Sequence, residues 1–228
     1  MNKRSKRYLE NKKKISEIKT SSINDAIKTF KLNKSVKFDE TLDVSIMLNK
    51  EKNKGEGLSR GYAQLPNGTG KKLKIAVFTT AEKVQEAKDA GADLVGNDDL
   101  IKDVKDGKIN FDIAIATPEM MKNIAVIGER LGPLGIMPNP KTGTVTEDLS
   151  KTVTNIKKGQ IQFKSEKNAI VQAGIGKMSF SEENLISNFK EFINAVNKSK
   201  PDTIKGKFIN KVYLSTSMGP SIRIENIK

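Results

Sequence analysis

Cysteine, histidine and tryptophan are all absent from this chain of 228 residues, and aromatic residues make up only 5% of it. Without cysteine, no disulfide can form and no thiolate can act as a nucleophile or a metal ligand. Without histidine, catalytic triads that need an imidazole are excluded, and a metal site would have to use oxygen ligands alone. We therefore expect a protein that is not an enzyme and that carries no cofactor.

Long apolar runs are also absent. The longest, such as IAVF at 75–78, are far shorter than the ~20 residues that a membrane-spanning helix needs. The basic start of the chain, MNKRSKRYLENKKKISEIK, contains Glu10 and Glu17 and no apolar stretch, so it lacks the pattern of a signal or transit peptide. These features predict a soluble, cytoplasmic protein with no membrane partner.

Lysine and arginine are abundant, and their distribution divides the chain. Residues 72–157 contain 12 Lys and Arg against 13 Asp and Glu. Residues 1–71 contain 17 against 8, and residues 158–228 contain 12 against 6, so the two ends carry +15 and account for the whole positive excess of the chain. A generally lysine-rich surface would spread this excess evenly. Two similar ends and a different middle predict a basic domain formed by 1–71 and 158–228, with a second domain, 72–157, inserted into it.

The middle segment alternates the patterns of strands and helices. Short apolar runs typical of buried strands occur at 73–79, 93–96 and 111–118. Helical patterns lie between them, and a longer one spans 119–132 with Glu119 in its first turn. Short βα units in series predict a parallel sheet with helices on its faces. We therefore expect the inserted domain to be a small Rossmann-like α/β layer.

The two ends have a different pattern. Ser22 followed by Asp25 is the start signal of a short amphipathic helix. Strand patterns occur at 36–48, 159–180 and 205–224. Between the last two ranges, one helical face contains four apolar side chains: Leu185, Phe189, Phe192 and Val196. We expect a mostly antiparallel sheet backed by helices, that is, a basic α+β sandwich domain into which the Rossmann-like α/β domain is inserted.

Two glycine-lysine stretches have some likeness to a phosphate-binding loop. AGIGKMS has Val171 where that loop needs its first glycine and Met178 where it needs Ser or Thr. GTGKK has Leu65 and Lys72 at the same positions. The strand at 73–79 is not followed by a dinucleotide fingerprint either. A nucleotide-dependent enzyme that uses the Rossmann-like domain is therefore only the alternative hypothesis.

Three carboxylate pairs are candidates for general acid–base chemistry: Asp39 with Glu40, Asp98 with Asp99, and Glu182 with Glu183. Each pair lies near the predicted start of an element. Helix N-termini favour negative charge because of the helix dipole. We therefore interpret all three pairs as structural.

The basic ends contain further candidates. The run NKRSKRYLENKKK is either a solvated terminus or an electrostatic arm for nucleic acid. The stretch STSMGPSIR at 215–223 is either a plain hairpin turn or a contact surface, because small hydroxyls and free backbone N–H groups suit phosphates and 2′-OH groups. Phe38, next to Lys37, is either a core residue or a platform for a base or sugar. With so few aromatic residues, RNA recognition would rest on shape and backbone more than on base stacking.

Ten stretches together resemble a known family over nearly the whole chain: KRY near the start, KFDETLDV, RGYAQLPNGTGK, AGADLVG, FDIAIATPEMM, LGPLGIMPNPKTGTV, GQIQFKSEKNAI, IGKMSF, KPDTIKG and STSMGPSIRI. In this order and spacing they are similar to the bacterial L-one family of large-subunit ribosomal proteins, which form the mobile stalk of the ribosome. The resemblance implies a basic domain from both termini with an inserted Rossmann-like domain.

The resemblance also implies partners and a site. The partners would be the stalk region of the large-subunit rRNA, the deacylated tRNA whose release from the exit site the protein assists, and its own mRNA, whose translation it represses. The matched motifs and the charge distribution together point to the following RNA-binding residues: Lys37, Phe38, Lys167, Gly176, Lys177, Thr216, Ser217, Met218 and Gly219.

The sequence departs from the family pattern at a few positions. Leu134 stands where bacterial members usually have a basic residue, and Asn67 where they often have histidine. At 55–61, GEGLSRG replaces the common SDQNVRG. Leu134 lies in the Gly- and Pro-rich segment 131–146, which the resemblance implies is a stiff surface of the inserted domain and not a phosphate cradle.

Overall fold

The computed structural model describes residues 5–16, 20–34, 36–49, 60–166, 168–201, 204 and 206–225. Its helices are α1 (Lys6–Ser16), α2 (Ile23–Leu32), α3 (Val84–Asp89), α4 (Asp98–Lys105), α5 (Met121–Ala125), α6 (Gly128–Leu134), α7 (Leu149–Lys157) and α8 (Glu182–Lys198). Its strands are β1 (Thr20–Ser21), β2 (Thr41–Leu48), β3 (Arg60–Gln64), β4 (Ile75–Phe78), β5 (Leu94–Gly96), β6 (Ile113–Ala116), β7 (Gln160–Lys164), β8 (Ile170–Lys177), β9 (Ile209–Thr216) and β10 (Ser221–Ile224).

The chain forms two compact units. Unit 1 consists of Met1–Gly70 and Ile161–Lys228, and unit 2 consists of Lys71–Gln160. Unit 1 is therefore discontinuous in sequence, whereas unit 2 is a single segment inserted between its two halves.

Unit 1 is built on a five-stranded sheet with the order β1-β10-β9-β2-β8. Neighbouring strands are antiparallel, except for the parallel pair β1 and β10. Every second residue of β2, which lies between β9 and β8, is buried, and the core that these residues enter also contains residues of α2 and α8. The four apolar residues expected on one face of α8 are all buried there: Leu185, Phe189, Phe192 and Val196. The alternate residues of β2 and the apolar residues at helical spacing in α8 thus pack in the same core.

The helices α2 and α8 both begin at a serine cap. Ser22 Oγ accepts the N–H of Asp25 at 3.3 Å and donates to its carboxylate at 2.6 Å. Ser181 Oγ accepts the N–H of Asn184 at 3.3 Å, and the acidic pair 182–183 lies in the first turn of α8. The cap predicted at Ser22 and the structural interpretation of 182–183 are therefore confirmed.

Unit 2 contains a three-stranded parallel sheet with the order β5-β4-β6. All four residues of the central strand β4 are buried. Ile75 and Val77 pack with apolar residues of α3 and α7, whereas Ala76 and Phe78 pack with apolar residues of α4, α5 and α6. Helices therefore cover both faces of a parallel sheet, and the predicted mixed α/β fold class is confirmed.

Two predicted boundaries are wrong. The helix expected over 119–132 is two short helices, α5 and α6, and Glu119 precedes the first of them. Between them the N–H of Ile127 bonds only three residues back, to the carbonyl of Ile124 at 2.9 Å, and α6 then starts with glycine, a weak helix former. The strand expected over 36–48 begins only at Thr41, because the preceding residues form hydrogen bonds with turns instead of a ladder.

The Gly- and Pro-rich segment 131–146 is ordered by glycine turns and by a contact with the sheet. Gly135 follows α6 with φ +75°, and Gly143, with φ +70°, ends a short 3₁₀ turn. Both values lie in the left-handed region that glycine adopts at little cost. Val145 then forms a parallel bridge to Ala116 of β6. The segment thus continues the sheet of unit 2 beside β6.

Candidate nucleic-acid interface

Three adjacent strands of unit 1 end at the same edge of their sheet. β2 begins at Thr41, and its antiparallel neighbours β8 and β9 end at Lys177 and Thr216. Thr41 lies opposite Lys177, and Leu42 lies opposite Thr216. The segment before β2 and the turns after β8 and β9 therefore come together. We call this region, residues 37–41, 177–179 and 216–219, the strand-end surface.

The turn after β9 is hydrogen-bonded to the start of β2. The N–H of Ser217 donates to the carbonyl of Thr41 at 3.2 Å, and the N–H of Thr41 donates to Ser217 Oγ at 3.1 Å. The N–H of Met218 donates to Glu40 Oε1 at 2.9 Å. The stretch 215–223 is a hairpin turn, since β9 and β10 pair directly across it, and its exposed tip is fixed by these bonds.

The turn after β8 is bonded to the same short segment. The N–H of Met178 donates to the carbonyl of Glu40 at 2.9 Å. Ser179 donates to the carboxylate of Asp39 twice, from its N–H at 3.1 Å and from its Oγ at 2.8 Å. Lys177 Nζ donates to Thr41 Oγ1 at 3.1 Å. Residues 39–41 therefore hold both turns.

Two large apolar side chains are exposed on the strand-end surface. Phe38 is 51% exposed and Met218 is 46% exposed. Phe38 is therefore not a core residue. Lys37 and Ser217 are exposed as well, whereas Lys177 is half-buried. The surface thus combines two cationic groups with apolar side chains and a hydroxyl, the mixture that phosphate and sugar or base contacts require.

The two glycines of the predicted site make room for their neighbours. Gly176 is buried, and a Cβ there would lie 2.8 Å from Leu185 Cδ2. A Cβ at Gly219 would overlap Thr216 Oγ1, and Thr216 itself is buried. Phe180 also lies close to Gly176. The structure therefore gives both glycines and Thr216 a packing role beneath the surface.

A buried amide fixes the loop beside Lys177. Asn188 of α8 is fully buried; its Oδ1 accepts the N–H of Asn67 at 3.1 Å, and its Nδ2 donates to the carbonyl of Ile175 at 2.8 Å. At the end of this loop, Gly70 has φ +72° and approaches Lys177 so closely that a Cβ would lie 2.8 Å from Lys177 Cγ. Asn67 thus has a structural role in this chain.

The structure brings eight of the nine predicted site residues to this one sheet edge, and Lys167 lies outside the described residues. Sequence reasoning missed Asp39, Glu40, Thr41 and Ser179. The structural interpretation of 39–40 agrees with their hydrogen bonds, but the helix dipole is not its cause, since these residues precede strand β2. No local signal in the sequence could have identified their role, because the turns that they hold lie far along the chain.

The parallel sheet of unit 2 has a glycine at the end of β5, whereas dinucleotide-binding folds have their glycine-rich cradle after the first strand, which is β4 here. A Cβ at this residue, Gly96, would lie 2.9 Å from Leu100 Cβ, so the glycine makes room for α4. Within the described ranges, no group of three or more acidic side chains is placed to hold a metal ion. Over the same part of the chain, no helix combines the length and apolarity that crossing a membrane requires.

Residues 26–220 match the ribosomal protein L1p/L10e family. The large ribosomal subunit protein uL1 of Rickettsia canadensis (strain McKiel) is 44% identical over 220 residues, which cover 96% of this chain and 92% of that protein. Its counterpart in Janthinobacterium sp. (strain Marseille) is 45% identical over 225 residues, with 99% and 97% covered. That of Kosmotoga olearia is 45% identical over 228 residues, with 100% and 99% covered.

These matches extend over the strand-end surface and over both units. The enzyme alternative finds no support in them, because the matched family consists of ribosomal proteins. The chain therefore belongs to the ribosomal protein L1p/L10e family, and it is a structural, non-enzymatic component of the large ribosomal subunit, which in bacteria lies in the cytoplasm.

Proposed function

We propose that unit 1 is the RNA-binding domain and that its strand-end surface binds the stalk region of the large-subunit rRNA. The observation that carries this proposal is the anchoring of two turns, after β8 and β9, on residues 39–41. The anchored turns present cationic and apolar side chains together. They do so in unit 1, which holds nearly all of the net positive charge of the chain.

The side chains of this surface divide into two groups by chemistry. Lys37 and Lys177 are cations and neutralise phosphates, which gives affinity for any RNA. The ammonium of Lys177 has three donors, and its bonds to Asp39 O at 3.3 Å and Thr41 Oγ1 at 3.1 Å leave one for RNA. Phe38 and Met218 carry no charge, so their contacts with bases and sugars depend on the shape of the RNA.

A salt titration of two exposed variants tests this division. Lys37→Ala should weaken binding to cognate and scrambled RNA alike and lower the slope of log K against log salt by ~0.7–0.9. Met218→Ala should weaken cognate RNA alone, by about 1–3 kcal/mol, the scale of a well-made contact, and leave the slope unchanged. Filter binding of a stalk rRNA fragment and a scrambled RNA of equal length measures both quantities.

An equal loss of affinity for both RNAs in Met218→Ala would mean that the turn after β9 has a structural role and makes no RNA-specific contact. Wild-type binding that does not distinguish cognate from scrambled RNA would overturn the proposed function itself. A melting curve of each variant serves as the control, because Lys37 and Met218 are exposed and neither change should alter stability by more than ~0.5 kcal/mol.

We also propose that the bound protein assists release of deacylated tRNA from the exit site. This role rests on membership of a family whose members belong to the large ribosomal subunit. Ribosomes reconstituted with and without the protein should differ in the rate at which labelled deacylated tRNA leaves after translocation. Equal rates would contradict this role and would leave rRNA binding intact.

A second proposed function is repression of the protein's own mRNA through an RNA site that mimics the rRNA site. The surface that recognises rRNA by shape would accept a second RNA of the same shape. A translation reporter that carries the leader of the gene should be repressed by the wild type and not by Met218→Ala. Unchanged translation with the wild-type protein would refute this function.

A further inference from the structure

Two carboxylates lie on the surface that is proposed to bind a polyanion. Asp39 is exposed, and it directly follows Lys37 and Phe38 in sequence. Glu40 is buried, with 5% exposure, and it touches the turn that carries Met218. Since like charges repel, by ~1 kcal/mol at 4 Å in water, negative groups here oppose RNA binding unless they do something else.

Glu40 is hydrogen-bonded within the protein and is shielded from solvent. Its Oε1 accepts the N–H of Met218 at 2.9 Å, and its carbonyl accepts the N–H of Met178 at 2.9 Å. Hydrogen bonds from an N–H to a carboxylate are stronger than neutral ones. One residue therefore fixes the backbone of both turns, at Met218 after β9 and at Met178 after β8.

Asp39 holds the turn after β8 at a second point. Its two carboxylate oxygens accept separate donors of Ser179, the N–H at 3.1 Å and Oγ at 2.8 Å. This two-point contact sets the position of the turn more narrowly than one hydrogen bond would. Both carboxylates thus face N–H or O–H donors of the turns on which the proposed RNA contacts lie.

We propose that Asp39 and Glu40 are positioning residues for RNA recognition, which fix the turns after β8 and β9 so that Lys177, Ser217 and Met218 meet the RNA in a single geometry. The inference rests on the proposed RNA-binding function and adds to it that negative charge at this surface supports cognate binding. Electrostatic repulsion alone predicts the opposite change in affinity, because removal of a carboxylate near a polyanion should tighten binding to every RNA.

Four variants of the full-length protein distinguish a loss of cognate affinity, which the positioning role predicts, from a general gain in affinity, which electrostatic repulsion alone predicts. Glu40→Ala removes the acceptor, whereas Glu40→Gln removes the charge but keeps an oxygen for the N–H of Met218. Asp39→Ala removes both acceptors for Ser179 at an exposed position, where loss of the fold is not expected. Glu191→Gln, an exposed change on α8, is the control for loss of one negative charge in unit 1.

We expect Glu40→Ala and Asp39→Ala to bind the stalk rRNA fragment about tenfold or more weakly, because 1.4 kcal/mol of lost hydrogen bonding corresponds to a factor of ten. Scrambled RNA should bind as tightly as it does to the wild type, or more tightly. Glu40→Gln should stay within about threefold of the wild type on cognate RNA, because the acceptor is kept. Glu191→Gln should change the affinity for the two RNAs by the same factor, so that the preference for cognate RNA stays as in the wild type.

Amide hydrogen exchange supplies a measurement without RNA. The N–H of Met218 should exchange faster in Glu40→Ala and not in Glu40→Gln, and the N–H of Ser179 should exchange faster in Asp39→Ala. Cognate binding that is unchanged or tighter in both alanine variants would overturn the inference, while wild-type discrimination of cognate from scrambled RNA keeps the proposed function. If Glu40→Ala does not fold, Asp39→Ala and Glu40→Gln test the inference by RNA binding and by amide hydrogen exchange.

Discussion

Both units place the ends of neighbouring strands side by side, but they use these ends differently. In unit 1, antiparallel strands lead into turns whose backbone is bonded to Asp39 and Glu40 and whose side chains reach solvent. In unit 2, the parallel strands β4 and β6 lead into Thr79 and Thr117, which are both buried. The residues that follow β4 and β6 in unit 2 are therefore buried, whereas those at the strand ends of unit 1 form an exposed surface.

This contrast separates fold from function. Unit 2 has the layer architecture that binds nucleotides in many proteins, yet its one glycine at a strand end accommodates α4. Unit 1 does not have this nucleotide-binding layer architecture, but it contains most of the positive charge and the two turns that are bonded to residues 39–41. Function in this chain is therefore inferred from the chemistry of particular residues and not from the layer pattern.

Separation of the two units should produce the largest effect. A chain of 1–70 joined to 161–228 should retain most of the affinity for the stalk rRNA fragment, and the segment 71–160 alone should bind on the order of 10³-fold more weakly, at the level of non-specific binding. Filter binding at one fixed salt concentration measures both. Comparable affinities of the two pieces would remove the distinction between the units.

Alanine at two glycines, one in each unit, should give opposite results. Gly219→Ala should displace the turn after β9, because the new Cβ overlaps Thr216 Oγ1; we expect a loss of about 1–3 kcal/mol in stability and about tenfold in RNA affinity. Gly132 lies inside α6 with no atom within 4 Å of a new Cβ. Gly132→Ala should therefore leave RNA binding unchanged and raise stability by ~0.5–1 kcal/mol.

Urea titration and filter binding of the two glycine variants provide the comparison. A Gly219→Ala protein with normal stability and normal RNA affinity would show that the turn adjusts without cost. A loss of RNA affinity in Gly132→Ala would place an RNA contact in unit 2.

The smallest effect is expected from a charge added to unit 2. Leu134 is 60% exposed, at the end of α6, and the family resemblance led us to expect a basic residue there. If unit 2 makes no phosphate contact, Leu134→Lys should leave the salt dependence of RNA binding unchanged. A slope that rises by ~0.7–0.9 would instead mean that one phosphate lies within reach of this position. Leu134→Gln is the matched uncharged control.

The sequence predicted the periodic elements better than the site. The helical spacing of Leu185, Phe189, Phe192 and Val196 and the strand runs of unit 2 are local patterns, so α8 and the parallel sheet could be foreseen. The break at Ile127 was missed because the apolar pattern runs on through it, although Gly128, a weak helix former, marks the place where α6 starts.

The role of Asp39 and Glu40 was also beyond sequence reasoning. Their partners, Ser179 and Met218, are 140 and 178 positions away in the chain. No local pattern marks such a pair, and a carboxylate near the start of an element has the same appearance whether it caps a helix or holds a distant turn. The resemblance identified the neighbouring residues, but the hydrogen bonds that connect them are visible only in three dimensions.

The distance along the chain between the two sides of the strand-end surface has a consequence for biosynthesis. Thr41 and Ser217 are 176 positions apart, and β2 lies between β8 and β9 in the sheet. The N-terminal half of unit 1 therefore cannot pair with β9 until the residues up to Thr216 have been translated. Unit 2, a continuous segment, can fold earlier during elongation. A nascent chain that lacks β9 cannot display the completed surface, so we expect specific RNA binding only after β9 and the turn that follows it have been synthesised.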